Sequence, residues 1–316
     1  MVENADIDYS LCRYPSAPIF ATMGDVVRAS EKYKINLYDP EAIDILQSYR
    51  EFRSCCIETS LGILQRFNLP ERALVSARLK RMKSIYRKLQ RSEKSTFKSM
   101  NDVVGFRVIF RSFADLQSVI AVIKEREDIK IWDYLEKDHP NGHGYRGAHA
   151  VFHFAQPLNE DKKITVRFEV QLRTYYQHCW ACWCEGMGEQ AKEGYCGRRD
   201  EPEIKERINA LKSISNKIKV WEEGNPNSAQ GTENSFPISR DITQKFAVVR
   251  KNGEIDSCVD ITEAFDLLMD YEEQELDVLL LLGLSGNNIR KHLQETHINF
   301  LLGRAYPPEV WMPSDM

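Results

Sequence analysis

The sequence predicts a mixed α/β (α+β) fold in which a β-sheet is flanked by helices. Residues 167–174, RFEVQLRT, alternate strictly between polar and apolar side chains, which is the period of a strand with one face in a core. The run 103–110, VVGFRVIF, is almost wholly apolar and is typical of a buried strand. Apolar residues between Pro40 and Asn68 instead recur at helical spacing. Helices and strands are therefore expected to share one core.

Length and charge limit the classes of protein to consider. The chain has 316 residues, a net charge of −4 and a pI near 6.0, which argues against a nucleic-acid coat but allows a local basic cleft. It contains no apolar run of about 18 residues, so no membrane span is expected. Eight cysteines, two of them adjacent at Cys55 and Cys56, indicate reduced thiols. These observations predict a cytoplasmic protein.

The N-terminal third is predicted to be helical. Residues 1–37 are interpreted as an extension that carries a short helix around Met23–Tyr33. Asp39 followed by Pro40 is a helix-start signal, because the acid caps the first amides and proline suits the first helical position. From there to about Asn68 the apolar spacing predicts one long helix or two joined helices.

Residues 76–91, SARLKRMKSIYRKLQR, are predicted to form a basic helix. Leu79, Met82, Tyr86 and Leu89 recur at steps of three and four, which gives an apolar stripe. No acidic residue occurs between Ser76 and Ser92, and like charges at this spacing repel each other. A bound anion would relieve that repulsion, and a polyphosphate is the obvious candidate.

The next segments complete the predicted sheet. We expect a helix at 113–126, strands at 129–135, 148–154 and 164–173, a glycine-rich loop at 141–149, and a helix at 175–191. Tyr145 is predicted to be exposed in the glycine-rich loop, where its ring can stack on a base.

Two carboxylates are candidates for catalysis. Asp102 precedes one predicted strand and Glu169 lies on another, so the two side chains can converge. Two carboxylates beside a basic helix make a site for Mg²⁺ and phosphates. Glu169 can also take a proton from an attacking hydroxyl.

These motifs together resemble the RelA/SpoT family of alarmone synthetases. The resemblance extends from about Arg78 to Trp180. It is carried by four motifs: Arg78-x-Lys80-x-x-x-Ser84-Ile85-Tyr86-x-Lys88, Asp102 with Arg107, Gly144-Tyr145-x-x-x-His149, and the strand Glu169-Val170-Gln171-Leu172-Arg173-Thr174.

The resemblance implies a nucleotidyltransferase-like synthetase domain that moves the pyrophosphoryl group of ATP to the 3′-hydroxyl of GDP or GTP, with Mg²⁺ as cofactor. It implies that Asp102 and Glu169 hold the metal and that Glu169 is also the catalytic base. It implies phosphate contacts from Arg78, Lys80, Ser84, Lys88 and Arg107, and acceptor contacts from Tyr145, His149, His143, Gln171 and Arg173.

The chain departs from the family pattern in ways that leave the acceptor open. His143 stands where the family usually has an asparagine that helps to read guanine. No His-Asp pair occurs in the sequence, so the family's hydrolase domain is expected to be missing. Both features suit the toxic branch of the family, which modifies the 3′-terminal adenosine of tRNA. An adenosine nucleotide as acceptor, or an inactive nucleotide-binding sensor, remains an alternative.

The C-terminal part is predicted to be separate. We expect the synthetase domain at 38–221, a polar linker at 222–236 and a small α/β module at 237–316. Within the module, strands at 245–250 and 254–259 flank Asn252-Gly253, a strong hairpin signal, and a helix at 262–273, a strand at 276–282 and a helix at 287–297 follow.

We interpret this module as regulatory or partner-binding. Its acidic residues between Asp266 and Asp277 complement the basic segment 78–91, so one hypothesis is that docking restrains the enzyme. The alternative is that the module supports activity.

Overall fold

The computed structural model of the protein describes residues 19–67, 69–70, 73–91, 93–135, 144–158, 162–186 and 202–231, together with the backbone of three strands between residues 245 and 282. Over the residues described, none of the helices combines the length and the apolar character needed to cross a bilayer.

Three helices precede the sheet, and their starts follow the capping rules. They are α1 (Met23–Ile35), α2 (Pro40–Ser54) and α3 (Ile57–Gln65). The side chains of Thr22 and Asp39 accept hydrogen bonds from first-turn amides of α1 and α2. The short helix and the Asp39 cap are therefore confirmed, and the predicted long helical region is two helices.

Within the described residues, eight strands form one mixed sheet. In chain order they are β1 (Leu74–Leu79), β2 (Val104–Phe110), β3 (Lys130–Asp133), β4 (Ala148–Pro157), β5 (Lys163–Thr174), β6 (Lys245–Arg250), β7 (Ile255–Cys258) and β8 (Leu276–Leu282). Their order across the sheet is β3-β4-β5-β2-β1-β8-β6-β7. Strands β2 and β5 are parallel, and the other neighbouring pairs are antiparallel.

In the described part of the chain, four further helices flank the sheet: α4 (Met82–Arg91), α5 (Phe113–Lys124), α6 (Tyr175–Gly186) and α7 (Pro202–Gly224). The predicted mixed α/β fold is confirmed. The predicted helix at 113–126 matches α5, and the described part of the predicted helix at 175–191 matches α6.

The prediction of one helix over 76–91 is wrong at its start. Residues 74–79 form β1, which pairs antiparallel with β2, and the helix begins only at Met82. Val75, Ala77 and Leu79 alternate with polar residues, so this segment also has the period of a strand. Pairing with β2 decides between the two readings, and it places Arg78 on a strand rather than on the basic helix.

One face of the sheet packs in the hydrophobic core, and polar side chains lie on the opposite face. Phe106, Val108, Val170 and Leu172 on the central parallel strands are at most 2% exposed. Phe106 and Phe168 also meet edge to face at 5.6 Å between ring centroids. Side chains alternate between faces along a strand, so the intervening residues of β2 and β5 point to the opposite side.

The C-terminal strands extend this sheet. Strands β6 and β7 form the antiparallel hairpin predicted around Asn252-Gly253. Strand β8 pairs with β1, with Ser76 opposite Leu280. The predicted helices at 262–273 and 287–297, and nearly all of the acidic stretch proposed to dock on the basic segment, lie outside the described residues.

The predicted linker at 222–236 begins as ordered structure. Helix α7 continues to Gly224, and the Glu222 side chain is fully buried. Gln230 is also fully buried, and its backbone amide donates to the Arg111 carbonyl at 2.6 Å. The polar composition that suggested a linker instead supplies hydrogen bonds that attach residues 222–231 to the sheet.

Candidate active site

The register of three strands places the candidate residues in adjacent rows. Gly105 on β2 lies opposite Arg78 on β1 and opposite Glu169 on β5. Residues that lie opposite each other in paired strands share a face of the sheet. Arg78 and Glu169 therefore flank a position that has no side chain.

The next row is polar across four neighbouring strands. Arg107 on β2 lies opposite Ser76 on β1 and Gln171 on β5, and Gln171 lies opposite His149 on β4. This row is two residues further along β2 and β5 than the row of Gly105, so it faces the same side. The sheet register thus brings together residues that are nearly a hundred positions apart in sequence.

A cavity opens on this face of the sheet. It is lined by Ser76, Ala77, Arg78, Asp102, Gly105, Phe106, Arg107, Glu169 and Gln171. Five of these were candidate site residues from the sequence. The predicted convergence of Asp102 with Glu169 is therefore observed.

Two lysines bind the Asp102 carboxylate at the edge of this cavity. The Nζ atom of Lys80 lies 2.6 Å from Oδ2 of Asp102, and the Nζ atom of Lys88 lies 3.0 Å from Oδ1. The side chains of Lys80 and Asp102 are only 14% and 16% exposed. This pair therefore carries more electrostatic weight than an exposed ion pair.

The charges of this cluster shift the pKa values of its members. Burial alone would raise the pKa of Asp102, but the ammonium groups of Lys80 and Lys88 bring it below its usual range. Burial lowers the pKa of Lys80, and the charge of Asp102 opposes that effect. Asp102 is therefore a carboxylate at neutral pH, and one negative charge is shared between two cations.

The surroundings of Glu169 raise the pKa of its carboxyl, whereas those of Asp102 lower it. Burial raises the pKa of its carboxyl, and the negative charge of Asp102 raises it further, while a hydrogen bond from Gln171 acts in the other direction. That bond joins Gln171 Nε2 to Glu169 Oε1 at 3.3 Å. A carboxylate with a raised pKa is a better proton acceptor than an ordinary surface glutamate.

Four other groups connect Glu169 to the glycine-rich segment in a closed ring of contacts. The Arg173 guanidinium donates to the Tyr145 hydroxyl and to the Gln171 carbonyl, each at 3.0 Å. The Tyr145 hydroxyl lies 2.6 Å from His149 Nε2. The ring closes where His149 Nδ1 faces Glu169 Oε1 at 3.6 Å.

One arrangement of protons satisfies all of these contacts. In it the Tyr145 hydroxyl accepts from Arg173 and donates its own proton to His149 Nε2. A neutral histidine that accepts at Nε2 carries its proton on Nδ1, which faces Glu169. The predicted acceptor residues Tyr145, His149, Gln171 and Arg173 are thus one connected group.

The prediction that Tyr145 is exposed is wrong. Its side chain is only 9% exposed, the Arg173 guanidinium lies 4.9 Å from its ring centroid, and Trp180 packs against its edge. Burial raises the pKa of the Tyr145 hydroxyl, and the charge of Arg173 opposes that effect. The loop is short and glycine-rich, but long-range contacts with β5 and α6 cover the ring, and local composition does not reveal such contacts.

Two candidates remain apart from this arrangement. Ser84 is exposed in the first turn of α4 and is not among the described residues that line the cavity. His143 lies outside the described residues, so its predicted contact with the acceptor stays a prediction.

Two positions of the site were not selected from the sequence. Gly105 has no side chain to suggest a function, and only its register between Arg78 and Glu169 places it in the site. Arg50 on α2 is 4% exposed and donates through Nε to the Lys80 carbonyl at 2.8 Å, while the Lys80 amide donates to Val103 at 2.8 Å. A long-range contact fixes Arg50, and no local motif marks it.

The cavity suits a divalent cation. Asp102 and Glu169 are partly buried carboxylates close enough for the charge of Asp102 to raise the pKa of Glu169. A hard cation between them would remove that repulsion, and Mg²⁺ prefers oxygen ligands of this kind. The donor set therefore fits the metal that the family resemblance implies.

Comparison with known proteins finds a family match over the same part of the chain. The family described as "Region found in RelA / SpoT proteins" matches residues 77–192. Residues 77–192 are therefore similar to this region, and the residues of the cavity from Ala77 to Gln171 lie inside the matched segment.

One curated protein is similar to this chain over part of its length. A GTP pyrophosphokinase of Bacillus subtilis, YwaC, is 32% identical over 114 residues, which are 33% of this chain and 52% of that protein. The match thus spans about half the length of this curated relative.

Solved structures similar to this chain include two small alarmone synthetases of Bacillus subtilis. Synthetase 2 is 26% identical, with a TM-score of 0.41 and coverage of 56% of this chain and 91% of that one. Synthetase 1 bound to its product pppGpp is 23% identical, with a TM-score of 0.37 and coverage of 48% and 74%.

Proposed function

We propose that the protein is an ATP pyrophosphokinase that forms an alarmone of the (p)ppGpp type from GDP or GTP. The observation that carries the proposal is the row Arg78–Gly105–Glu169, which borders a cavity shared with Asp102. A cationic side chain and two carboxylates around one opening are what transfer of a phosphate chain needs, because catalysis there is mainly positioning and charge. The name and product of the relatives agree with this proposal.

The basic residues would bind the ATP phosphates. Arg78 and Arg107 line the cavity from neighbouring strands, and guanidinium groups suit phosphate oxygens because they donate in a planar fork. Lys80 and Lys88 would exchange their contact with Asp102 for contacts with phosphates. Ser84 lies in the first turn of α4. The N-terminal end of a helix favours a negatively charged group, so Ser84 would contact the phosphates from there.

Glu169 would be the catalytic base. The oxygen of the acceptor 3′-hydroxyl attacks the β-phosphorus of ATP, the bond from that phosphorus to the α,β-bridging oxygen breaks, and AMP leaves. The hydroxyl proton goes to the Glu169 carboxylate, whose raised pKa suits this role. Mg²⁺ held by Asp102 and Glu169 would supply charge stabilisation to the phosphate chain.

The connected group of Tyr145, His149, Gln171 and Arg173 would bind the acceptor nucleotide. These residues lie beside Glu169, so a nucleotide bound there would present its ribose to the Glu169 carboxylate. A nucleobase that stacks on the aromatic ring of Tyr145 would have to displace the Arg173 guanidinium, which lies 4.9 Å from the ring centroid.

The test is product analysis with purified protein, Mg²⁺ and ATP labelled in the β-phosphate. GDP, GTP, ADP, ATP and deacylated tRNA are offered separately as acceptors. We expect AMP release together with label in a GDP- or GTP-derived product. Label in tRNA or in an adenosine nucleotide would replace the acceptor, and ATP binding without AMP release in any mixture would identify a nucleotide-binding sensor.

A further inference from the structure

Helix α7 touches the glycine-rich segment although the helix lies outside the matched region 77–192. The Ser215 hydroxyl donates to the Gly144 carbonyl oxygen, and Ser215 is only 2% exposed. A Cβ atom at Gly144 would lie 3.1 Å from the Lys212 Cα atom and 3.1 Å from the Ser215 Cβ atom. Backbone and helix are therefore in direct contact, with no room for a side chain between them.

The backbone conformation strengthens this point. Gly144 has φ of +93°, a region that favours glycine. At the other end of the segment Gly147 has φ of +136°, and a Cβ there would lie 2.9 Å from the Leu172 carbonyl oxygen on β5. Residues 144–147 are thus hydrogen-bonded to α7 at one end and packed closely against β5 at the other end.

Helix α7 is itself fixed on both sides of Ser215. The Trp180 indole donates through Nε1 to the Leu211 carbonyl at 3.0 Å, one turn before Ser215. Two turns after Ser215, the buried Glu222 carboxylate accepts from the Thr174 hydroxyl and, at 2.8 Å, from Gln177 Nε2. The helix therefore keeps a fixed position relative to the junction of β5 with α6.

We propose that α7, through Ser215, is the positioning element of the acceptor subsite. The proposal rests on the proposed function, which assigns Tyr145, His149 and Arg173 to the acceptor nucleotide. Ser215 holds Gly144, and Gly144 precedes Tyr145, so the helix determines where the tyrosine ring and the following histidine lie. Ser215 itself does not contact the cavity described above and is a positioning residue.

The kinetic test uses Ser215→Ala with Ser213→Ala as the matched control, because Ser213 is an exposed serine on the same helix. Rates are measured with ATP saturating and the acceptor varied, and then with the two roles exchanged. Loss of one buried hydrogen bond should raise the KM for the acceptor about five- to thirtyfold in S215A. The KM for ATP should stay within about twofold of the wild-type value.

A second readout does not depend on activity. Hydrogen–deuterium exchange of the peptide that contains residues 144–150 should be faster in S215A than in wild type and unchanged in S213A. If the wild type transfers no pyrophosphate to any acceptor, the proposed function fails, and the exchange result still decides whether α7 holds the segment. Unchanged exchange in a folded S215A protein, or equal increases in both KM values, would overturn the inference.

Discussion

Lys80 and Asp102 form a short ion pair in which Nζ and Oδ2 are 2.6 Å apart, and Lys88 contacts the second oxygen of the same carboxylate. The basic segment is therefore partly neutralised from within the chain. Its like charges do not repel freely in the absence of nucleotide. The phosphate binding proposed for Lys80 and Lys88 would compete with Asp102, and a cation on Asp102 would free both lysines for phosphate.

Asp102→Asn should separate metal binding from nucleotide binding. Without divalent metal, ATP should bind more tightly to the variant, because the substitution removes the negative charge that holds Lys80 and Lys88. With Mg²⁺, turnover should fall on the order of a hundredfold. Calorimetric titration of ATP in chelator checks the first part. Asp128→Asn, which alters an exposed pair with Arg126, is the control, and weaker metal-free ATP binding by D102N would contradict the account.

Gly105→Ala should fold and yet lose activity. A Cβ at Gly105 would lie 3.8 Å from the Arg78 side chain and 3.9 Å from the Glu169 carbonyl, which are ordinary contacts. The methyl group would nevertheless stand between Arg78, proposed to bind the ATP phosphates, and Glu169, the proposed base, so we expect the transferred group to pass close to it. We expect kcat/KM to fall by at least about tenfold.

The control for this variant is Gly62→Ala on α3, where a Cβ meets nothing within 4 Å. Its activity should match the wild type, and its helix should gain about 0.5–1 kcal/mol of stability. Thermal unfolding of both variants shows whether G105A is folded. A folded G105A with wild-type kcat/KM would show that the transferred group does not pass this position.

The pH dependence of turnover should report Glu169. The base must be deprotonated to take a proton, so activity rises as pH increases through the pKa of Glu169, which burial raises in the metal-free protein. Gln171→Leu removes a hydrogen bond that lowers this pKa, so the acid limb of kcat should move to higher pH. Profiles normalised to their maxima make the comparison, with Gln117→Leu on the exposed side of α5 as control. A shift to lower pH is incompatible with this assignment.

Glu222 should make stability depend on pH. Its buried carboxyl accepts hydrogen bonds from Thr174, Gln177 and Gln230, and the net effect of burial is a raised pKa in the folded protein. The folded state therefore binds the proton more tightly than the unfolded chain does. The resulting stabilisation is complete below the usual glutamate pKa and is lost as pH rises through the raised pKa.

Urea unfolding at several pH values checks this dependence. The free energy of unfolding of Glu222→Gln should vary less over that window than that of wild type. At low pH the variant should be less stable by about 1–3 kcal/mol, because an amide NH₂ replaces an acceptor oxygen opposite buried donors. Glu223→Gln, at an exposed position beside it, should keep the wild-type slope. Equal slopes for E222Q and wild type would contradict the raised pKa.

The sequence predicts those parts of this protein that depend on local pattern. The alternation of residues 167–174 predicts β5, and the Asp39-Pro40 signal predicts the start of α2, because both depend on neighbours in the chain. The segment 76–91 was misread at its start because its apolar residues fit both periods, and only pairing with β2 excludes the helix there.

The remaining features of the site depend on contacts between distant residues. Tyr145 is buried because Arg173 and α6 lie over it, and Glu222 is buried because its carboxylate meets Thr174, 48 positions earlier. Both residues lie in glycine-rich or polar segments that are typical of exposed loops. Their burial follows from the sheet register and the position of α7, which single-sequence patterns do not contain.

The most direct test of the account is AMP release from ATP, with Mg²⁺ and the preferred acceptor, by the wild type and by Glu169→Gln. The variant keeps the size of the side chain and its position opposite Gly105 in the sheet but removes the proton acceptor. The account predicts acceptor-dependent AMP release by the wild type and a loss on the order of a hundredfold or more in E169Q, with ATP still bound. AMP release by E169Q at the wild-type rate would contradict the assignment of Glu169 as the base.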